Sequence, residues 1–224
     1  MLPDVKVAGV NSGRVSMIPR PVSRFSDVFG FGSDSGLAAA RAAGWRNCDL
    51  GWERMQERAH AALKAGNGAD AARLWRRAWW LAMLRFSRDD PRYATSLANA
   101  GMAARLTGNE VLAQRRYARA LVLWSSVPTW VEGMTIARRG RSSLFHLRME
   151  TQHWDAYQGS MRRRATGFMR ETAACLHAAA HGTPTPIRLH SRWRGEKPAV
   201  FDDLRKFLGA ALLLAVGEQP GPEA

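Results

Sequence analysis

The sequence predicts an all-α protein, an α-solenoid built as a stack of antiparallel helix pairs with degenerate flanking helices. Three observations predict it. From Trp52 to about His181 the apolar residues recur at helical spacing almost throughout, as they do on helices with one buried face. No segment alternates polar and apolar residues with period two, so no sheet is expected. The chain also resembles itself at a shift of 42 residues, the mark of a repeated supersecondary unit.

Taken in order, residues 1–34 mix Gly, Ser, Pro and scattered Arg without periodicity, which predicts a flexible basic N-terminal arm. Ser35 is placed to cap a short Ala-rich helix over GLAAARAAGW. A helical repeat domain is expected over 35–181. It has clear repeats at 52–88 and 89–126 and a degenerate third unit or helical cap at 128–181. Residues 182–200 hold three Pro and read as a linker. A C-terminal capping helix is expected over 201–216, shielding the last apolar face, with Asp202 and Asp203 favourable at its N-terminus. Residues 217–224 read as a tail.

Within the repeat, Trp52–Leu81 laid on Ala94–Leu123 pairs identical residues at Ala62/Ala104, Gly66/Gly108, Asn67/Asn109, Ala71/Ala113, Arg73/Arg115, Arg77/Arg119, Ala78/Ala120 and Leu81/Leu123. Trp75 pairs with Tyr117, and Met55 with Leu97. Gly66 and Gly108 stand where a helix ends in a left-handed residue, and Asn67 and Asn109 follow as N-caps of the next helix. Ala71, Trp75 and Ala78 share one helical face, as do Ala113, Tyr117 and Ala120. Small–large–small on one face lets a neighbouring helix approach closely and seats one ring between its turns. Each unit is therefore predicted to be a helix, a tight Gly-Asn turn and an antiparallel helix.

Glycine at the turn followed by Ala-x3-aromatic-x2-Ala resembles the tetratricopeptide repeat. That family's usual period is about 34 residues. The longer period, with DDPRYATSLANAG at 89–101, resembles the kinesin-light-chain-like subtype, matched here at Asp90, Pro91, Ala94, Thr95, Leu97 and Asn99. Pro91 suits the first helical turn, where its missing N–H costs nothing. The resemblance covers about 52–123, roughly a third of the chain. It implies a concave groove lined by the first helix of each pair: Glu53, Gln56, His60 and Lys64 from the first unit, Thr95, Asn99, Met102 and Arg105 from the second. Of these, His60, Lys64, Thr95, Asn99, Met102 and Arg105 are the candidate partner-binding residues. Amide and cationic donors there suit an extended peptide or a carboxylate terminus.

The 224 residues carry 33 basic and 19 acidic side chains, a formal charge of +14. Only four of the basic residues are Lys, an Arg excess that a genomic codon bias, bacterial-like in its Arg and Ala, also produces. A basic body attracts an acidic protein, nucleic acid or anionic lipid. Two cysteines, Cys48 and Cys175, give no disulfide framework and fit a reducing compartment. The longest apolar run, FLGAALLLAV at 207–216, is half the ~20 residues a membrane-spanning helix needs. No secretory signal stands at the N-terminus. Together these predict a cytoplasmic protein.

The remaining motifs weigh little. His177 and His181 in CLHAAAH are spaced i, i+4, which presents two imidazoles to one metal, but a zincin's Glu is replaced by Ala. Position at a helix end, where cationic His complements the dipole, explains them better. Asp89-Asp90 reads as a helix cap. Arg76-Arg77, Arg115-Arg116, Arg138-Arg139-x-Arg141 and Arg162-Arg163-Arg164, with Trp80, Trp124, Trp130, Trp154 and Trp193 interspersed, would suit a nucleic-acid surface with stacking rings. No RNA- or DNA-binding signature accompanies them, and most Trp fall on packing faces. Phosphate-loop, dinucleotide, nucleophile-elbow and zincin signatures do not occur. The expectation is a non-catalytic protein-interaction adaptor or assembly factor, without metal or cofactor, using the groove and an Arg-rich face. A basic nucleic-acid-binding helical protein is the alternative.

Overall fold

A computed structural model describes residues 34–137, 153–183 and 200–216. Among them lie eight helices and no strand: α1 (Asp34–Ala42), α2 (Asn47–Lys64), α3 (Gly68–Arg85), α4 (Pro91–Arg105), α5 (Glu110–Trp124), α6 (Val127–Gly133), α7 (Trp154–Ala180) and α8 (Asp203–Leu212). Successive helices from α2 to α5 pack on one another in chain order, α7 packs on α5 and α6, and α8 packs on α4 and α7.

The repeat is visible in the two turns. Gly66 and Gly108 adopt φ of 76° and 78°, a left-handed conformation that costs side-chain-bearing residues about 1–2 kcal/mol. At the first turn the Asn67 N–H reaches back to the Ala62 carbonyl at 2.9 Å and the Gly66 N–H to Leu63 at 3.0 Å. At the second, Asn109 reaches Ala104 and Gly108 reaches Arg105, both at 2.9 Å. This double bond satisfies carbonyls orphaned at a helix end, and each Asn then caps the following helix by accepting from the N–H of Asp70 or Leu112. Glycines at 44 and 182 end α1 and α7 in the same conformation.

The small–large–small faces are fully buried, with Ala71, Trp75 and Ala78 in one unit and Ala113, Tyr117 and Ala120 in the other. The second unit relies on one more small residue, Gly101. A Cβ built there would stand 3.0 Å from Tyr117 Cε1 and 3.2 Å from the Ala113 carbonyl oxygen. Bare backbone thus lets α5 lie close against α4. Trp79 on α3 meets Tyr93 on α4 edge to face at 5.1 Å, joining the two pairs.

Several boundaries differ from the sequence reading. α2 begins at Asn47 rather than near Trp52, because the Asp49 carboxylate accepts from the Arg46 N–H at 2.7 Å and from its guanidinium at 3.5 Å. The C-terminal helix stops at Leu212, and Leu214–Val216 continue without helical structure. It packs on α4 and α7, and its last turn and the residues after it meet the face that α2 and α4 share. The arm (1–33), most of the linker (184–199), the tail (217–224) and residues 138–152 of the expected third unit lie outside the described residues.

Candidate functional site: the covered face of α2 and α4

The groove expected from α2 and α4 is occupied by the chain itself. Gln56, Thr95, Asn99 and Met102 are buried, with Glu53 and His60 nearly so. Asn99 spans the interface: its Nδ2 donates to Gln56 Oε1 and to the Leu213 carbonyl, each at 2.7 Å, and its Oδ1 accepts from the Ala215 N–H at 2.7 Å. Thr95 Oγ1 donates to the Ala210 carbonyl at 2.8 Å, and His60 Nε2 to Leu213 at 2.8 Å. The accepting carbonyls belong to the last turn of α8 and the residue just after it, where the helix supplies no partners of its own. Side chains of α2 and α4 thus cap α8 and hold the residues that follow it by their backbone.

The apolar side of the same contact is continuous with the core. Leu204, Phe207, Leu208, Leu214 and Val216 are buried, each worth about 1.5–3 kcal/mol relative to exposure. Phe207 meets the Trp124 ring edge to face at 6.3 Å, and a Cβ at Gly209 would rest 3.7 Å from Trp52. Arg205 pairs with Glu53 at 3.0 Å and lies over Phe201, its guanidinium carbon 4.4 Å from the ring centre. The N-terminus of α8 is fixed as well. Asp202 caps the helix through the Arg205 N–H and accepts the Ala137 N–H, while Asp203 accepts from the N–H and hydroxyl of Thr135. Burial would raise the Asp203 carboxyl, but its bonds to Lys206 and Thr135 hold it below the usual carboxylate range.

Two of the expected binding residues fall elsewhere. Lys64 is exposed at the end of α2. Arg105 turns to Glu110 at 2.6 Å, with its guanidinium carbon 5.3 Å from the Tyr117 ring centre. The expectation of an open cationic groove is therefore corrected: the covered face offers amide, hydroxyl and imidazole donors, already engaged. The reason is physical. An apolar run such as 207–216 needs cover, and the small-residue face of α4 supplies it.

Beneath this site lies an ion cluster that sequence reasoning missed. Arg92 is buried between Asp49 and Asp90, with Nη1 2.6 Å from Asp49 Oδ1 and Nη2 2.6 Å from Asp90 Oδ2. Its guanidinium carbon lies 3.9 Å from the Phe86 ring centre. Burial would lower the Arg92 pKa, but the two carboxylates raise it instead. Burial would likewise raise Asp49, yet Arg92, assisted by Arg46, holds it below the usual range. Asp90 also caps α4 through the Arg92 N–H at 2.9 Å, so the Asp-Pro step marks a helix start as expected. Arg92 directly follows that step, a signal that a buried partner for Asp90 was close in sequence. Nearby, Trp52 Nε1 donates to Ser96 Oγ at 2.6 Å, and Ser96 to the Arg92 carbonyl at 2.7 Å.

The other candidates are placed as follows. His177 and His181 stack with ring centres 4.2 Å apart, and His181 Nδ1 bonds the His177 carbonyl at 2.8 Å. Among the described residues no three His, Cys, Asp or Glu converge as a metal site would require, and no helix is long and apolar enough to cross a membrane. Trp45, Trp52, Trp75 and Trp124 are buried, Trp79, Trp130 and Trp154 half-buried, and Trp80 exposed; Trp193 lies outside the described residues. Of the Arg clusters, Arg138-Arg139-x-Arg141 also lies outside them. Arg162 is half-buried and reaches the Met134 carbonyl at 3.4 Å, whereas Arg163 and Arg164 are exposed.

The fold and site define an all-helical protein of two related helix pairs closed by its own C-terminal segment. Compared with known proteins, the chain matches no family model, no curated protein and no solved structure.

Proposed function

We propose that this protein is a non-catalytic adaptor or assembly factor, its helix pairs stacked in the manner of tetratricopeptide repeats and holding a partner protein. The observation that carries the reading is Asn99, which grips a polypeptide by its backbone, one carbonyl and one N–H, two residues apart. Contacts of this kind hold a strand of any sequence, while the apolar seats for Phe207 and Leu208 select among them. The face of α2 and α4 thus has the chemistry of peptide recognition, exercised in cis. A preformed surface of packed helices needs little ordering on binding, which favours affinity.

A full-length Phe207→Ala variant loosens the cis segment without touching the recognising side chains. A fluorescent peptide of residues 200–216 should then bind the variant at least about tenfold more tightly than the wild type, since the cis occupant competes less well. Leu214→Ala serves as a second variant should the first misfold. If neither binds the peptide, the face holds its segment only as part of the core and this reading fails. Affinity of the nuclease-treated protein for RNA or DNA, falling steeply with salt, would favour the nucleic-acid alternative.

A further inference from the structure

With the face of α2 and α4 covered, recognition chemistry is left on the outward side of the second helix of each pair. Among the described residues, the exposed large apolar side chains are Trp80 (63% exposed), Leu84 (74%), Val111 (61%) and Val122 (69%). All four lie on α3 and α5. On α3, Arg73, Arg77, Trp80 and Leu84 follow one another at spacings of 4, 3 and 4, which is a single stripe along the helix. On α5, Val111, Arg115, Arg119 and Val122 form the matching stripe, at spacings of 4, 4 and 3. The shift of 42 that relates the two units superposes Arg73 on Arg115, Arg77 on Arg119 and Trp80 on Val122. Because α3, α4 and α5 pack successively and are joined by short turns, α3 and α5 run in the same direction. The three superposed positions therefore run Arg-Arg-apolar in the same direction on both helices, with Val111 preceding them on α5 and Leu84 following them on α3.

Charge on this face is poorly compensated within the molecule. Arg73 pairs with Asp70 at 2.6 Å, but among the described residues no carboxylate pairs with Arg76, Arg77, Arg115 or Arg119. Arg116 is fixed by its bond to the Ala100 carbonyl at 2.7 Å, near enough to Arg76 that burial and this like charge together lower its pKa. Folding thus leaves an exposed indole, exposed aliphatic groups and unpaired guanidinium groups side by side. Trp and Arg are the residues most enriched among the energetic centres of protein interfaces.

We propose that the outward faces of α3 and α5 dock an acidic protein segment bearing apolar side chains, with Trp80 as its anchor and Arg77 and Arg119 pairing its carboxylates. Guanidinium groups hold carboxylates through paired, charge-assisted hydrogen bonds. Phosphodiester backbones would use the same Arg residues but leave Leu84, Val111 and Val122 without partners. A membrane-lying face segregates its apolar residues from its cations, whereas here they share one stripe, with Arg115 and Arg119 between Val111 and Val122. The surface deepens the adaptor reading and rests on it, but it is separate from the α2 and α4 face.

The test uses the full-length protein and a labelled model helix of Glu and Leu, with a Glu and Ser version of equal charge as control. An oligonucleotide and vesicles of anionic and zwitterionic phospholipid provide the other arms. The Glu and Leu peptide is expected to bind more than about tenfold more tightly than its control. Trp80→Ala should remove most of that difference. Arg77→Glu with Arg119→Glu should abolish binding by both peptides. These positions are exposed, so unchanged melting confirms intact folding. Equal affinity for the two peptides, or indifference to Trp80→Ala, overturns this surface and leaves the adaptor reading standing. Tighter binding of the oligonucleotide, lost in the double charge reversal, overturns both. Vesicle binding that depends on Trp80 assigns the face to lipid and overturns the protein-docking proposal.

Discussion

Arg92 shows how far one side chain organises its surroundings. Two carboxylates from different parts of the chain, Asp49 in α2 and Asp90 before α4, converge on its guanidinium. Removing one member of a buried ion cluster leaves uncompensated charge, at a cost of about 3–5 kcal/mol. Arg92→Ala is therefore expected to lower urea stability by that order, far more than Arg77→Ala on the surface. Because Asp49 is held below the value of an unfolded Asp, about 3.9, the unfolded chain takes up that proton first as pH falls. The stability Asp49 contributes is complete above about pH 4 and is lost as pH drops through its lower folded value. In Asp49→Asn, urea titrations across pH 2–6 should show a shallower acid limb; an unchanged limb would mean that Asp49 does not couple to folding. Asp203 acts in the same sense at the start of α8.

At the scale of the helices, local chemistry determines most boundaries. Gly108→Ala places a side chain at φ of 78° and should cost about 1–2 kcal/mol. Asn109→Ala removes the cap at about 1 kcal/mol. Measured by chemical denaturation, the two together should lie near their sum only if turn and cap act independently; adjacency argues for coupling. These turns were legible in the sequence because Gly-Asn occurs twice at one spacing, and each residue has a mechanism at its position. The buried ring of each small–large–small face was legible for the same reason. Gly101 was not, since a glycine inside a helical pattern reads as a weakness until Tyr117 is seen against it. The start of α2 was also missed, because an Arg at the cap position gives no recognisable signal on its own.

For the molecule as a whole, the informative part is the C-terminal segment. Its helical period and its acidic N-terminus were readable, but its destination was not. Nothing local in 201–216 names the face of α2 and α4, and the bonding partners of Leu213 lie 114 and 153 residues away. Of the polar residues expected to meet a partner, His60, Thr95 and Asn99 bond the C-terminal segment, whereas Lys64 and Arg105 do not. Asn99→Ala removes three bonds at once and strands buried groups, each worth about 1–3 kcal/mol when left unsatisfied. Hydrogen exchange should then accelerate over 203–216 before it does over α5. Uniform acceleration across the chain would instead show that the segment and the helix pairs open as one cooperative unit.

That closure also sets a schedule. Asn99 and the Ala215 N–H that donates to it are separated by 116 residues, and synthesis proceeds at about 5–20 residues per second, so roughly 6–23 s pass between them on the ribosome. Once α5 has been made, the helix pairs await that segment with their apolar and amide-lined face open to other chains nearby. The helix pairs are therefore most adhesive before residues 200–216 are made, and those residues are the ones that end their exposure.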